Sequence, residues 1–65
     1  MKLTINGEAR EIEAATVAEA LAALDLVDAR VATALNGNFV PADARSEATL
    51  APGDSLEILS PMQGG

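Results

Sequence analysis

A chain of 65 residues with no cysteine and no histidine must be held by apolar packing alone, without disulfides, thiolate metal sites or the commonest general base. Hydrophobic residues make up 49% of it, enough for one small core in which alanine is abundant and Phe39 is the sole aromatic side chain. A net charge of −6, with Lys2, Arg10, Arg30 and Arg45 scattered along the chain, excludes a nucleic-acid surface and favours encounter with a basic protein. No apolar run is long enough to span a bilayer, and no apolar region follows Lys2 as a secretory signal requires. The expectation is a single soluble domain of the cytoplasm with no nucleic-acid or membrane partner.

The chain opens with alternation. "KLTI" puts Leu3 and Ile5 on one face, Asn6-Gly7 supplies a hairpin turn, and "EAREIE" returns with Ile12 as its best inward residue. At "ATVAEALAAL" the period lengthens, and Val17, Leu21 and Leu24 form a helical stripe. The expected start is a capping box, in which Thr16 accepts from the Glu19 amide and Glu19 reaches back to the Thr16 amide. Alanines at 18, 20, 22 and 23 favour the helix and allow close approach to a sheet, and the helix should end near Asp25.

"VATAL" reads as the next strand and Asn36-Gly37 as a second hairpin turn, with "NFV" as a short partner that Pro41 terminates. Residues 42–50 carry little periodicity and read as a connecting loop anchored by Leu50. "APGDS" is a turn, and "DSLEILS" alternates again with Leu56 and Ile58 inward. Pro61 then takes the chain out of the sheet. The expected order is β-β-α-β-β-β, a mixed sheet with one covering helix in the α+β class, with a domain over 1–60 and a tail over 61–65.

Most routes to catalysis close on inspection. Ser46, Ser55 and Ser60 have no histidine to activate them, and nothing places Lys2 as a substitute base. Glu11 and Glu13 read as the solvated face of a strand. Asp25 and Asp28 flank the helix end, where the dipole does not favour anions, and read as loop residues in preference to a metal site. No glycine-rich loop precedes a helix to cradle phosphate. The chain is therefore not expected to be an enzyme, nor to bind a cofactor or metal itself.

The remaining candidate is the end of "SPMQGG". Without side chains, Gly64 and Gly65, behind Gln63, can enter a narrow channel in another protein, and from Pro61 the tail could reach roughly 16 Å when extended. By itself a Gly-Gly end also fits a frayed terminus. A carboxylate at neutral pH is a poor electrophile, so chemistry at Gly65 calls for activation by a partner that binds ATP.

Taken together, "ALNGNFVP", "L.PGDSLEI", "TVAEAL", the first Asn-Gly hairpin and the terminal "GG" resemble the ThiS sulfur carriers over essentially the whole chain. The resemblance implies a ubiquitin-like β-grasp fold. It further implies that a ThiF-like adenylating enzyme, using ATP and Mg, activates the Gly65 carboxylate. Sulfur from a donor such as a cysteine desulfurase then gives a thiocarboxylate, on which thiazole synthase draws for the thiazole ring of thiamine. Two places depart from the family pattern: Ala42 stands where arginine is frequent and Arg45 where tryptophan is frequent. Carriers for molybdopterin or for cysteine and methionine synthesis, a lysine-linked modifier, and a non-covalent β-grasp interaction module remain alternatives. In such a fold the sheet face away from the helix is open, and Phe39 or Val40, Glu57 and Leu59 are the candidate partner surface.

Overall fold

The computed structural model describes residues 1–26 and 30–60. Strands β1 (Lys2–Ile5) and β2 (Glu8–Glu11) form the first hairpin, followed by helix α1 (Val17–Ala23), β3 (Ala32–Leu35), β4 (Asn38–Val40), a 3-10 turn at Ala42–Ala44, and β5 (Ser55–Leu59). The five strands form one sheet in the order β2-β1-β5-β3-β4, with β1 and β5 parallel and every other pair antiparallel. The last strand is thus the central one. This is the expected β-β-α-β-β-β order, with the expected mixed sheet under one helix.

Both hairpins turn for the same reason. Asn6 and Asn36 have φ of 51°, and Gly7 and Gly37 have φ of 85° and 86°. A two-residue turn with positive φ at both positions matches the right-handed twist of the strands it joins, and Asn-Gly tolerates that backbone best.

Alternation puts Leu3, Ile5, Leu56 and Ile58 on the helix side of the sheet, where Val17, Ala20 and Leu21 of α1 close the core together with Ile12 and Leu50. Ala20 is wholly buried, so the helix backbone lies close to the sheet. The buried polar side chain is Thr33, and its hydroxyl donates to the Val40 carbonyl at 2.8 Å. Among the described residues no buried side-chain nitrogen or oxygen is left without a partner. The chain therefore avoids the desolvation penalty that an orphaned polar group would impose on so small a core.

Some local expectations are corrected. Thr16 caps α1 by accepting from the Glu19 amide at 3.2 Å, but Glu19 reaches back to the Ala15 amide at 2.7 Å, one residue earlier than the capping box required. The reason is tertiary: Thr16 forms an isolated β-bridge with Thr49, and the chain enters the helix extended, with Thr16 at φ −135°. The helix ends near Asp25, as expected: its last residue is Ala23, and Asp25 lies at φ 63° as the left-handed residue of a C-terminal cap. There the Leu26 amide donates to the Leu21 carbonyl at 2.8 Å and the Asp25 amide to Ala22 at 3.0 Å.

The stretch 42–50 is more than a connecting loop. It begins with the 3-10 turn, and its carbonyls at Arg45 and Ala48 accept from the first helical amides, Ala18 at 3.1 Å and Val17 at 2.9 Å. Those amides have no partner inside the helix, so this segment supplies one. Its order comes from the helix it caps, which is why no periodicity marks it.

Candidate functional site

Strand β5 lies between β1 and β3, and the two sides hold it differently. Toward β3 the register runs Leu35↔Leu56, Ala34↔Glu57, Thr33↔Ile58 and Ala32↔Leu59, so this pairing reaches the end of the strand. Toward β1 it covers only Thr4↔Ser55 and Ile5↔Leu56, because β1 turns away at Asn6. The Asn6 amide still donates to the Leu56 carbonyl at 3.0 Å. Beyond it the Asn6 side chain takes over: Ile58 N–H donates to Asn6 Oδ1 at 2.7 Å, and Asn6 Nδ2 donates to the Ile58 carbonyl at 3.0 Å. The carboxamide occupies the place that the next stretch of β1 backbone would have filled.

The other turn asparagine grips the opposite end of β5. Ser55 N–H donates to Asn36 Oδ1 at 2.9 Å, and Asn36 Nδ2 donates to Asp54 Oδ1 at 3.1 Å. Asp54 Oδ2 in turn accepts from the Ala51 amide at 2.8 Å, closing the Pro52-Gly53 turn. These two bonds, first the Ala51 amide and then Asn36, hold the Asp54 carboxyl below the usual carboxylate range. A sequence reading assigns both asparagines to turns and misses this second task. Partners 52 residues away for Asn6 and 19 for Asn36 leave no local signal.

On the face away from the helix, Ala34 is opposite both Phe39 of β4 and Glu57 of β5, so these three form one row across the sheet. Leu59 is one step along β5, opposite Ala32. Phe39 is 69% exposed and Leu59 63%, the two large apolar side chains that the protein leaves to solvent among the described residues. Ala32 and Ala34 between them make the face shallow. An open depression of about 420 Å³ lined by Arg30, Val31, Ala32, Leu59 and Ser60 continues it to the outgoing end of β5. The structure thus brings together the expected Phe39, Glu57 and Leu59. Of the alternatives Phe39 or Val40, it excludes Val40, which alternation turns into the interior at 8% exposure. Gln63, Gly64 and Gly65 lie outside the described residues, as does Asp28.

Arg45, at one of the two departures from the family pattern, reaches across to β3. Its Nη2 donates to the Val31 carbonyl at 2.6 Å and its Nε to Thr33 Oγ1 at 3.1 Å. It staples the capping segment to β3. Ala42 is exposed in the 3-10 turn. Glu11 and Glu13 remain largely solvated, but both approach the Met1 ammonium, at 3.1 and 3.5 Å. Among the described residues no three His, Cys, Asp or Glu side chains are gathered where they could hold a metal, and no helix is long and apolar enough to cross a membrane.

A sheet of this order under a single helix, with an open apolar face leading to the end of its central strand, defines a small β-grasp domain. The ThiS family model matches residues 3–65, and the chain belongs to the ThiS family. It is similar to the crystal structure of the thiamine biosynthesis protein ThiS from Geobacter metallireducens, with a TM-score of 0.83 and 36% identity over the whole of both chains. It is also 41% identical over 66 residues to a thiazole synthase of Paramagnetospirillum magneticum. All of this chain is covered in that match, but it spans only 20% of the relative's length.

Proposed function

We propose that the chain is the sulfur carrier of thiazole formation in thiamine biosynthesis, a co-substrate of other enzymes and not an enzyme itself. The observation that carries this reading is the family match, which runs through the final Gly64-Gly65 pair. A ThiF-like enzyme, using ATP and Mg, adenylates the Gly65 carboxylate. The mixed anhydride gives the acyl carbon the electrophilicity that a carboxylate lacks. The terminal sulfur of a persulfide on a donor such as a cysteine desulfurase displaces AMP, and a thiol reductant then cleaves the acyl disulfide to release the thiocarboxylate. Thiazole synthase then accepts sulfur from the resulting thiocarboxylate. A relative named thiazole synthase that contains a segment like this chain supports that choice of acceptor. Gln63 and Gly64 carry the carboxylate into the partners' active sites. The Phe39–Glu57–Leu59 face docks against them, with an acidic chain facing a basic rim.

The test combines the chain with the adenylating enzyme of thiamine synthesis, MgATP and a sulfur source. Intact mass should rise by the difference between sulfur and oxygen, localised to Gly65, and a chain lacking Gly64 and Gly65 should stay unmodified while remaining folded. An unmodified full-length chain would overturn the reading. Leu59→Asp, which places a carboxylate in the docking face without touching the core, should raise the KM for adenylation about tenfold or more.

A further inference from the structure

We infer that Asn6 is a positioning residue, whose carboxamide holds the outgoing end of β5 and so sets the point from which residues 61–65 are presented to a partner. This rests on the carrier reading above. In a parallel ladder β5 would need a β1 partner for every second residue. Asp54 and Leu56 have theirs, since the Thr4 amide donates to the Asp54 carbonyl at 2.9 Å and the Asn6 amide to Leu56 at 3.0 Å. Ile58 is next in that series, and β1 has already turned. Both of its backbone groups, pointing to the β1 side, are taken by one side chain at 2.7 and 3.0 Å.

The location gives this pair of bonds a consequence beyond stability. Ile58 is followed by Leu59, whose last register partner is Ala32, and by Ser60. Without the carboxamide, the final residues of β5 would be held from the β3 side alone. Leu59, then secured only through its pairing with Ala32, would be held less rigidly against the Phe39–Ala34–Glu57 row. Misplacement of this kind, remote from the reacting atoms, lowers the fraction of encounters that lead to reaction.

The two Asn-Gly turns supply a matched comparison. In Asn6→Gly the positive φ at position 6 is kept, because Gly-Gly suits the same turn, and only the carboxamide is lost. Asn36→Gly removes the equivalent grip from the other end of β5. With both variants folded, amide exchange at Ile58 should accelerate about tenfold or more in Asn6→Gly, and not in Asn36→Gly, if each amide follows local opening. In ATP–pyrophosphate exchange with the adenylating enzyme of thiamine synthesis, Asn6→Gly should raise KM roughly tenfold with kcat little changed, while Asn36→Gly should match the wild-type chain. A purely structural role would move the two variants together. Equal KM for Asn6→Gly and wild type, or equal shifts in both variants, would overturn the proposal and leave the carrier reading intact. A wild-type chain that is not adenylated would overturn both.

Discussion

Asp25 shows how one residue can be placed against its own preference. It is the left-handed residue that ends α1, at φ 63°, a conformation that strains an L side chain and that glycine adopts freely. Its carboxylate also stands by the helix C-terminus, where the dipole repels an anion. Asp25→Gly relieves both, against the greater freedom that glycine has in the unfolded chain. The balance should be stabilisation of about 0.5–1 kcal/mol, read as an upward shift in urea midpoint with unchanged slope. The sequence announced the helix end by loss of periodicity, and the turn asparagines by their glycines. It gave no sign of the sign of φ at Asp25, because no glycine marks the position.

At the scale of elements, the segment from the 3-10 turn to Leu50 decides how well α1 is anchored. Arg45 carries the contact to β3, through the Val31 carbonyl and the Thr33 hydroxyl, while that hydroxyl donates onward to Val40. Arg45→Ala breaks a charge-assisted bond to a half-buried carbonyl and removes one of two bonds at a buried hydroxyl. Destabilisation of about 1–3 kcal/mol is expected by chemical denaturation. Arg45→Lys should recover only part of it, since an ammonium lacks the planar fork that reaches both oxygens. The hairpins and the helix were legible because their signals are local: alternation, Asn-Gly, and apolar residues every third or fourth place. The role of residues 42–50 was not, because its partners are the amides of an element more than twenty residues earlier.

For the whole molecule, two exposed clasps predict the pH range of stability. Hydrogen bonds from the Ala51 amide and from Asn36 lower the folded-state pKa of Asp54, so its contribution is present above the unfolded value near 4 and is lost as pH falls through the folded one. The Met1 ammonium is shifted the other way, mainly by its hydrogen bond to Glu11, with Glu13 adding to the effect. Its contribution is complete below the unfolded value near 8 and is lost as pH rises through the raised one. Thermal unfolding should therefore show a plateau between about pH 4 and pH 8. Asp54→Asn should reduce the slope of the acid limb and leave the alkaline limb unchanged, and acetylation of the Met1 amine should flatten the alkaline limb. Limbs that do not separate in this way would refute the assignment.

Periodicity and turn chemistry were enough to establish the strand and helix order, the inward positions Leu3, Ile5, Val17, Leu21, Leu56 and Ile58, and the class of fold. Burial of apolar side chains has a fixed period in each kind of element, and a chain this short has few ways to satisfy it. Family resemblance pointed to Gly65, and alternation along the late strands to Leu59 and Glu57. What depended on the three-dimensional arrangement was which strands are neighbours. The central place of β5, the row that joins Phe39 to Glu57 through Ala34, the exclusion of Val40 from that face and the use of Asn6 and Asn36 as clamps all follow from it. Such pairings join residues far apart in the chain, and their energies depend on partners that no local pattern encodes.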